Sequence, residues 1–288
     1  MKVVIPMAGV GQRFKDAGYA DPKPLIRLGD GRMIIEHVLD MFDRENDDFV
    51  FIVNETHDYD DGISSIIKPL VSSCVVEVMP DHKLGPVHTL TAAFQHIGPY
   101  EEVIVAYCDG KVSWDYSMFK TWIACEEPDG CLITHTGFHP HTLSSTKMAF
   151  VQETDGRVSK VQEKQSFTDN PFNEHASSGI YYFRRGGDIE RFCTEYLQSG
   201  KSFRGEYYVT LIYNFMIANN LRVTFYDTDF VAILGTPHEI ELFNAWLKVA
   251  QDEFVENAAN AAKCFDYWKN YAATDENRQN TVQPERPS

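Results

Sequence analysis

The 288-residue sequence contains no apolar run of the ~18 residues that a membrane-spanning helix needs, so no helical membrane segment is expected. It contains no Cys-x-x-Cys pair. Its six cysteines, Cys74, Cys108, Cys125, Cys131, Cys193 and Cys264, stand far apart and read as scattered buried thiols in a reducing cytoplasm. Positive charge is scarce: 26 Lys and Arg face 42 Asp and Glu, for a net charge of −16. That balance argues against a general DNA or RNA binder, because phosphate backbones select basic faces. It leaves room for a mononucleotide, whose phosphates need only one local basic pocket. The opening MKVVIPMAGVGQRF has a short apolar run but no cleavable small-residue site, so no signal peptide is expected and the chain reads as cytoplasmic. There is no internal repeat and no linker strong enough to split the body.

What is present is enough apolar surface for a sizeable core, with 43% hydrophobic and 13% aromatic residues. Residues 2–7 form a β-branched run that ends in Ala8-Gly9-Val10-Gly11, which reads as a buried strand running into a glycine turn. Apolar spacing predicts helices over 33–43, 63–71 and 87–97, and buried strands over 49–53, 74–79 and 102–107. This alternation predicts an α/β fold with a mostly parallel sheet covered on both faces. Further on, strand-like runs are expected at 130–136, 147–152, 158–162, 179–183, 222–226 and 230–234. Helices are expected at 188–197, 206–218 and 237–254, with helical composition again over 258–271. In open parallel sheets ligands sit beyond the carboxyl ends of the strands. The glycine turn after strand one and Asp109 after strand four both fall there.

Gly9-Val10-Gly11-Gln12-Arg13-Phe14 is followed by Asp21-Pro22-Lys23-Pro24-Leu25-Ile26. Close glycines let backbone N–H groups approach phosphate oxygens, and Arg13 and Lys23 can neutralise phosphate charge. The dinucleotide pattern G-x-G-x-x-G fails because Phe14 occupies the third glycine, and the chain has no G-x-x-x-x-G-K-[ST] phosphate loop.

AGVGQRF followed by PKPLI resembles the signature of the sugar-phosphate nucleotidylyltransferases, G-x-G-x-R and then P-K-P-hydrophobic. The resemblance runs to about residue 245 and looks closest to small bacterial enzymes of capsule and surface-polysaccharide clusters. It implies a Rossmann-like mixed sheet of the nucleotide-diphospho-sugar transferase type. It also implies transfer of a nucleotide from a nucleoside triphosphate to a sugar 1-phosphate, with release of pyrophosphate. By this resemblance Ala8, Gly9 and Gly11 belong to the phosphate loop, and Gly85, in His82–Thr89, to the loop facing the nucleobase. Asp109 matches the magnesium-binding aspartate. Val161-Gln162-Glu163-Lys164 resembles V-x-E-K, which puts Glu163 on sugar hydroxyls and Lys164 on the sugar phosphate. Gly179 matches a glycine lying against the sugar, and Glu206 matches the Glu of G-E-x-x-x-T, expected to orient the acceptor or Lys164.

The resemblance departs at Ile233, where better-studied members carry a second metal-binding Asp; either Asp109 and the nucleotide phosphates hold the ion with water, or Asp227 or Asp229 substitutes. The expected catalytic set is Arg13, Lys23, Asp109 and Lys164, with Mg²⁺ on Asp109. Two other readings stand beside the sugar nucleotidylyltransferase. One is a cytidylyltransferase acting on a non-sugar phosphate, of phosphocholine or polyol type. The other is a non-catalytic nucleotide-binding protein. His139 and His141 form an H-x-H pair that could bind zinc, but with no third ligand in view they read as a polar loop. The expected organisation is a transferase domain over 1–245, a helical extension over 246–275 and a disordered tail over 276–288. The aromatic residues Phe254, Phe265, Tyr267, Trp268 and Tyr271 suit internal packing or a homo-oligomer equally.

Overall fold

The computed structural model describes residues 1–143 and 148–254. Among these, the strands are β1 (Lys2–Met7), β2 (Asp48–Asn54), β3 (Cys74–Met79), β4 (Val103–Ala106), β5 (Gly110–Ser113), β6 (Gly130–His135), β7 (Ala149–Thr154), β8 (Arg157–Glu163), β9 (His175–Phe183), β10 (Val223–Asp227) and β11 (Phe230–Ile233). The α-helices are α1 (Gln12–Asp16), α2 (Ile34–Leu39), α3 (Glu55–Asp61), α4 (Ile63–Ile67), α5 (Pro86–Leu90), α6 (Tyr116–Glu126), α7 (Gly186–Ser199), α8 (Ile212–Ala218) and α9 (Pro237–Phe254).

The main sheet runs in the order β10-β6-β9-β4-β1-β2-β3, with β7 joined to β9 and β8 to β7. Strands β4, β1, β2 and β3 are parallel, as are β10 and β6, while β9 enters antiparallel between β4 and β6. This is the mostly parallel mixed sheet expected from the alternating pattern.

Period-two geometry divides the core into two layers. Val3, Ile5 and Met7 of β1, with Phe49, Phe51 and Val53 of β2, pack on one face against α2, α4, α6 and α9. Val4, Val50, Ile52, Val103 and Val105 pack on the other against α5, α7 and α8. Both faces are covered, which explains why the parallel strands read as continuous apolar runs.

Several elements went unread in the sequence. They include α1, α3, β5 and α6, each short or polar on its outer face. Helix α6 starts where the Asp115 side chain accepts a hydrogen bond from the Met118 backbone N–H (2.8 Å), and α3 starts where Asn54 caps His57 (2.7 Å). Other helices are shorter than their apolar spacing suggests. The segment expected helical over 206–218 begins its α-helix only at Ile212, after a 3-10 turn at Val209–Leu211. Arg204 and Gly205 turn left-handed at φ +54° and +86°, and Glu206 pairs with Phe203 in an isolated β-bridge, so Glu206 is not a helix N-terminal acid. Helix α9 runs unbroken across residue 245, and Leu247 packs on the core, so the expected boundary between domain and extension falls inside this helix. The helix expected over 258–271, Cys264 and the tail lie outside the described residues. The five described cysteines are free thiols.

Helix α7 docks against the Ile97–Pro99 turn through Gly186. A Cβ there would stand 2.2 Å from Ile97 Cγ2 and 2.4 Å from the Gly98 carbonyl oxygen. Gly186→Ala therefore forces two backbones apart. We expect a loss of about 1–3 kcal/mol in urea unfolding, with the slope unchanged.

Candidate active site

Because β1 and β4 are neighbours and parallel, with Val4 opposite Val105, their C-terminal ends open on the same edge of the sheet. The loop after β1 carries Gly9 and Gly11, the latter at φ +65° where it starts α1. That helix presents Arg13. Lys23 lies on a 3-10 turn, Lys23–Leu25, flanked by the buried Pro22 and Pro24. Asp109 follows β4, and its carbonyl accepts from Leu234 N–H at 2.7 Å. Lys164 follows β8 at φ +55°.

These side chains converge on one cavity of about 460 Å³. Arg13, Lys23, Lys83 and Lys164 line it together with Asp109 and Glu206, and its wall also includes Gly9, Gly11, Gly85, Tyr107, Tyr208 and Gly235. All four residues expected to be catalytic thus share one cavity. An acidic chain has gathered cations at one spot, which is the local basic pocket that a nucleotide requires.

Lys23 Nζ donates to Asp109 Oδ2 at 2.8 Å, joining residues 86 apart in sequence. Burial opposes the charge on Lys23, but Asp109 more than offsets this and holds the ammonium pKa above its ordinary value. The thiol of Cys108 next to it is pushed up to about 11 by burial and stays protonated.

Gly85 has a strict reason to be glycine. At φ +88°, a Cβ would meet the Tyr207 backbone N at 2.7 Å. The backbones are tied there: Tyr207 N–H donates to the Leu84 carbonyl (2.8 Å) and Val87 N–H to the Tyr207 carbonyl (3.0 Å). The loop expected to face the base is therefore clamped to the segment that carries Glu206.

Three residues expected to touch ligand do not open on this cavity. Ala8 is buried, and its carbonyl accepts from Asn54 Nδ2 at 3.1 Å. Glu163 is buried and accepts from the Thr210 hydroxyl at 2.7 Å; burial raises its carboxyl pKa, with Thr210 opposing. Gly179, at φ +79°, lies beneath the Tyr107 ring, 3.4 Å from where its Cβ would be. Nor do Asp227 and Asp229 replace the acid missing at Ile233. Both are exposed and away from the cavity, and Asp227 accepts from Thr134 (2.7 Å) and contacts His175 (3.0 Å). Ile233 itself pairs with Gly110 in the small β5–β11 ribbon.

Sequence reasoning missed Tyr107, Tyr208 and Glu239, since a tyrosine or a helix-start acid carries no motif of its own. It also missed that His135 joins His139 and His141, with ring centroids 4.7 and 5.2 Å from its own. Among the described residues the trio is not arranged as a metal centre. Both ring nitrogens of His139 are engaged, by the Thr136 carbonyl and the Val231 N–H, and among the described residues no group of three or more His, Cys, Asp or Glu is arranged to hold a metal.

Residues 3–156, more than half of the chain, match the MobA-like NTP transferase domain. The chain belongs to that family and is a nucleotidyltransferase. The fold agrees. A nucleoside-diphosphate-sugar pyrophosphorylase from Vibrio cholerae RC9 superposes with a TM-score of 0.68 at 23% identity, over 84% of this chain and 99% of that one. The inositol-1-phosphate CTP transferase from T. maritima gives 0.63 at 14% identity, over 84% and 94%. A UDP-glucose pyrophosphorylase complexed with UDP-glucose gives 0.64 at 16% identity, over 86% and 98%. At these identities the likeness is one of fold. Among curated proteins none matches the chain. No helix among the described residues is long and apolar enough to cross a membrane.

In this transferase, removing Lys23 leaves Asp109 without its partner at a half-covered site. Lys23→Met should cost about 1–2 kcal/mol in chemical unfolding at neutral pH. The pair raises the Lys23 pKa above the 10.5 of the free side chain, so its contribution is complete below that pH and is lost as pH rises beyond it. The gap between wild type and variant should therefore narrow in alkali.

Proposed function

We propose that the transferase joins a nucleoside triphosphate to the phosphate of a phosphorylated small molecule and releases pyrophosphate. The observation that carries this reading is the convergence of Arg13, Lys23, Lys164 and Asp109 on one cavity. An acceptor phosphate oxygen attacks the α-phosphorus in line. A P–O bond forms to the acceptor, and the bond to the β-phosphate oxygen breaks, its electron pair leaving with pyrophosphate. The nucleophile is already an anion, so no strong general base is needed. The difficulty is electrostatic, because two polyanions must touch, and positioned cations supply most of the rate. Arg13 serves the triphosphate and the leaving pyrophosphate, Lys23 the α-phosphate region and Lys164 the acceptor phosphate.

Magnesium suits the residues present. Asp109 offers hard oxygen donors in the cavity wall. Beside it Gly235 lacks a Cβ, which would stand 3.1 Å from Asp109 Oδ2 and 3.5 Å from Glu239 Oε2. Asp109 would hold the ion, with Glu239 as a second acid across that gap. Bound there, the ion neutralises phosphate charge.

The resemblance favours a sugar 1-phosphate as acceptor, in the making of surface-polysaccharide precursors. One observation favours a second reading, a polyol or other non-sugar phosphate: Glu163 is turned to Thr210 and Gly179 is covered by Tyr107, so neither grips a sugar from the cavity wall. A pyrophosphate-release assay of four nucleoside triphosphates against sugar 1-phosphates, polyol phosphates and phosphocholine decides between them. Lys23→Ala should lower kcat/KM by roughly 10²-fold or more for the substrate pair that turns over. Nucleotide binding without any pyrophosphate release would sink the enzymatic reading.

A further inference from the structure

Next to the expected acceptor residue stands a polar chain whose middle member, Tyr208, belongs to no motif. Lys164 Nζ donates to the Tyr208 hydroxyl oxygen at 2.6 Å, and the Tyr208 hydroxyl donates on to Glu206 Oε2 at 2.5 Å. The direction of this chain is forced. An ammonium has no acceptor, so the phenol oxygen must accept from it. The single phenol proton then goes to the carboxylate. Burial and then the Glu206 carboxylate hold the phenol pKa above its usual value, so Tyr208 remains a donor.

Other contacts fix the same side chains. The Lys164 ammonium lies 4.6 Å from the centre of the Tyr208 ring and 5.9 Å from that of Phe203. Phe203 and Glu206 exchange backbone hydrogen bonds at 2.9 and 3.1 Å, and Tyr207 is clamped to the loop of Gly85. The backbone at Lys164 is left-handed, a conformation a lysine keeps only when its surroundings hold it there.

We propose that Tyr208 is a positioning residue, which with Glu206 behind it orients Lys164 towards the acceptor phosphate. The proposal rests on the reading of Lys164 as the acceptor-phosphate residue. Lysine is a flexible point charge, and ordering its long stem costs entropy each time an anion binds. Tyr208 occupies one of the three ammonium protons and leaves two for phosphate oxygens, so much of that ordering is complete before the acceptor arrives. The phenol also acts as a spacer. A direct Lys164–Glu206 ion pair would set a carboxylate against the incoming phosphate, whereas the interposed hydroxyl keeps that negative charge one group further back.

Two measurements test this. The first is titration with inorganic phosphate, the nucleoside triphosphate end being filled, which needs no knowledge of the acceptor. Tyr208→Phe should weaken phosphate binding about tenfold in the wild-type background and add less than twofold in a Lys164→Met background, since the tyrosine acts through the lysine. The second is steady-state kinetics with whichever acceptor turns over. There Tyr208→Phe should lower kcat/KM for the acceptor about tenfold and leave KM for the nucleotide within twofold. Glu206→Gln keeps an oxygen to accept the phenol proton and should retain more acceptor affinity than Glu206→Ala. Melting temperatures separate these effects from loss of fold. Equal phosphate affinity in wild type and Tyr208→Phe overturns the proposal, as does an undiminished effect of Tyr208→Phe when Lys164 is absent. A complete lack of pyrophosphate release instead overturns the function proposed above, and the phosphate titration still decides the role of Tyr208.

Discussion

The Lys23–Asp109 contact depends on the parallel pairing of β1 and β4, and almost everything at the site follows from that pairing. Two strands running side by side in the same direction must end on the same side of the sheet. The chain leaving β1 then carries Arg13 and Lys23, the chain leaving β4 carries Asp109, and the two meet at 2.8 Å across 86 residues. An antiparallel pairing of the same strands would have put the lysine and the aspartate at opposite edges. The antiparallel strand β9, on the other side of β4, passes under the same rim, where its Gly179 carbonyl accepts Tyr107 N–H at 2.9 Å.

Charge explains why such a meeting is useful. A chain of net charge −16 repels nucleotides over most of its surface, and a basic cavity at one rim restores attraction only there. Inside it, two lysines are held in place by neighbours: Lys23 by Asp109, Lys164 by Tyr208 and the aromatic faces beside it. Cations fixed in advance need little reorganisation when phosphate charge arrives, which is the physical basis of electrostatic catalysis.

Much of this was legible from residue order. The run of Val3, Val4 and Ile5 into glycines, and of Val103, Ile104 and Val105 into Asp109, announced two strand ends, and strand ends are where open α/β sheets bind ligands. Helix limits were less legible. The apolar spacing over 206–218 is helical, yet Arg204 and Gly205 turn left-handed and divert Glu206 and Tyr208 to the cavity. Periodicity reports which residues seek the core, whereas a backbone reversal is set by contacts with a distant loop, here the clamp between Tyr207 and Leu84. Glu163 and Lys164 show the same limit at closer range. They are adjacent in sequence, but β8 ends at Glu163, whose acid turns inward to Thr210, and the left-handed backbone at Lys164 turns the lysine to the cavity.

The sequence by itself determined the layer architecture, the strand ends and the basic segments that follow them, because local propensity and apolar period act over a few residues at a time. Only the tertiary structure decided which of those residues share one cavity, that Tyr208 stands between Lys164 and Glu206, and that Ala8 and Glu163 are buried away from it and Gly179 lies under the Tyr107 ring. Those outcomes depend on strand register and on backbone contacts between segments far apart in the chain, and neither leaves a mark in local composition.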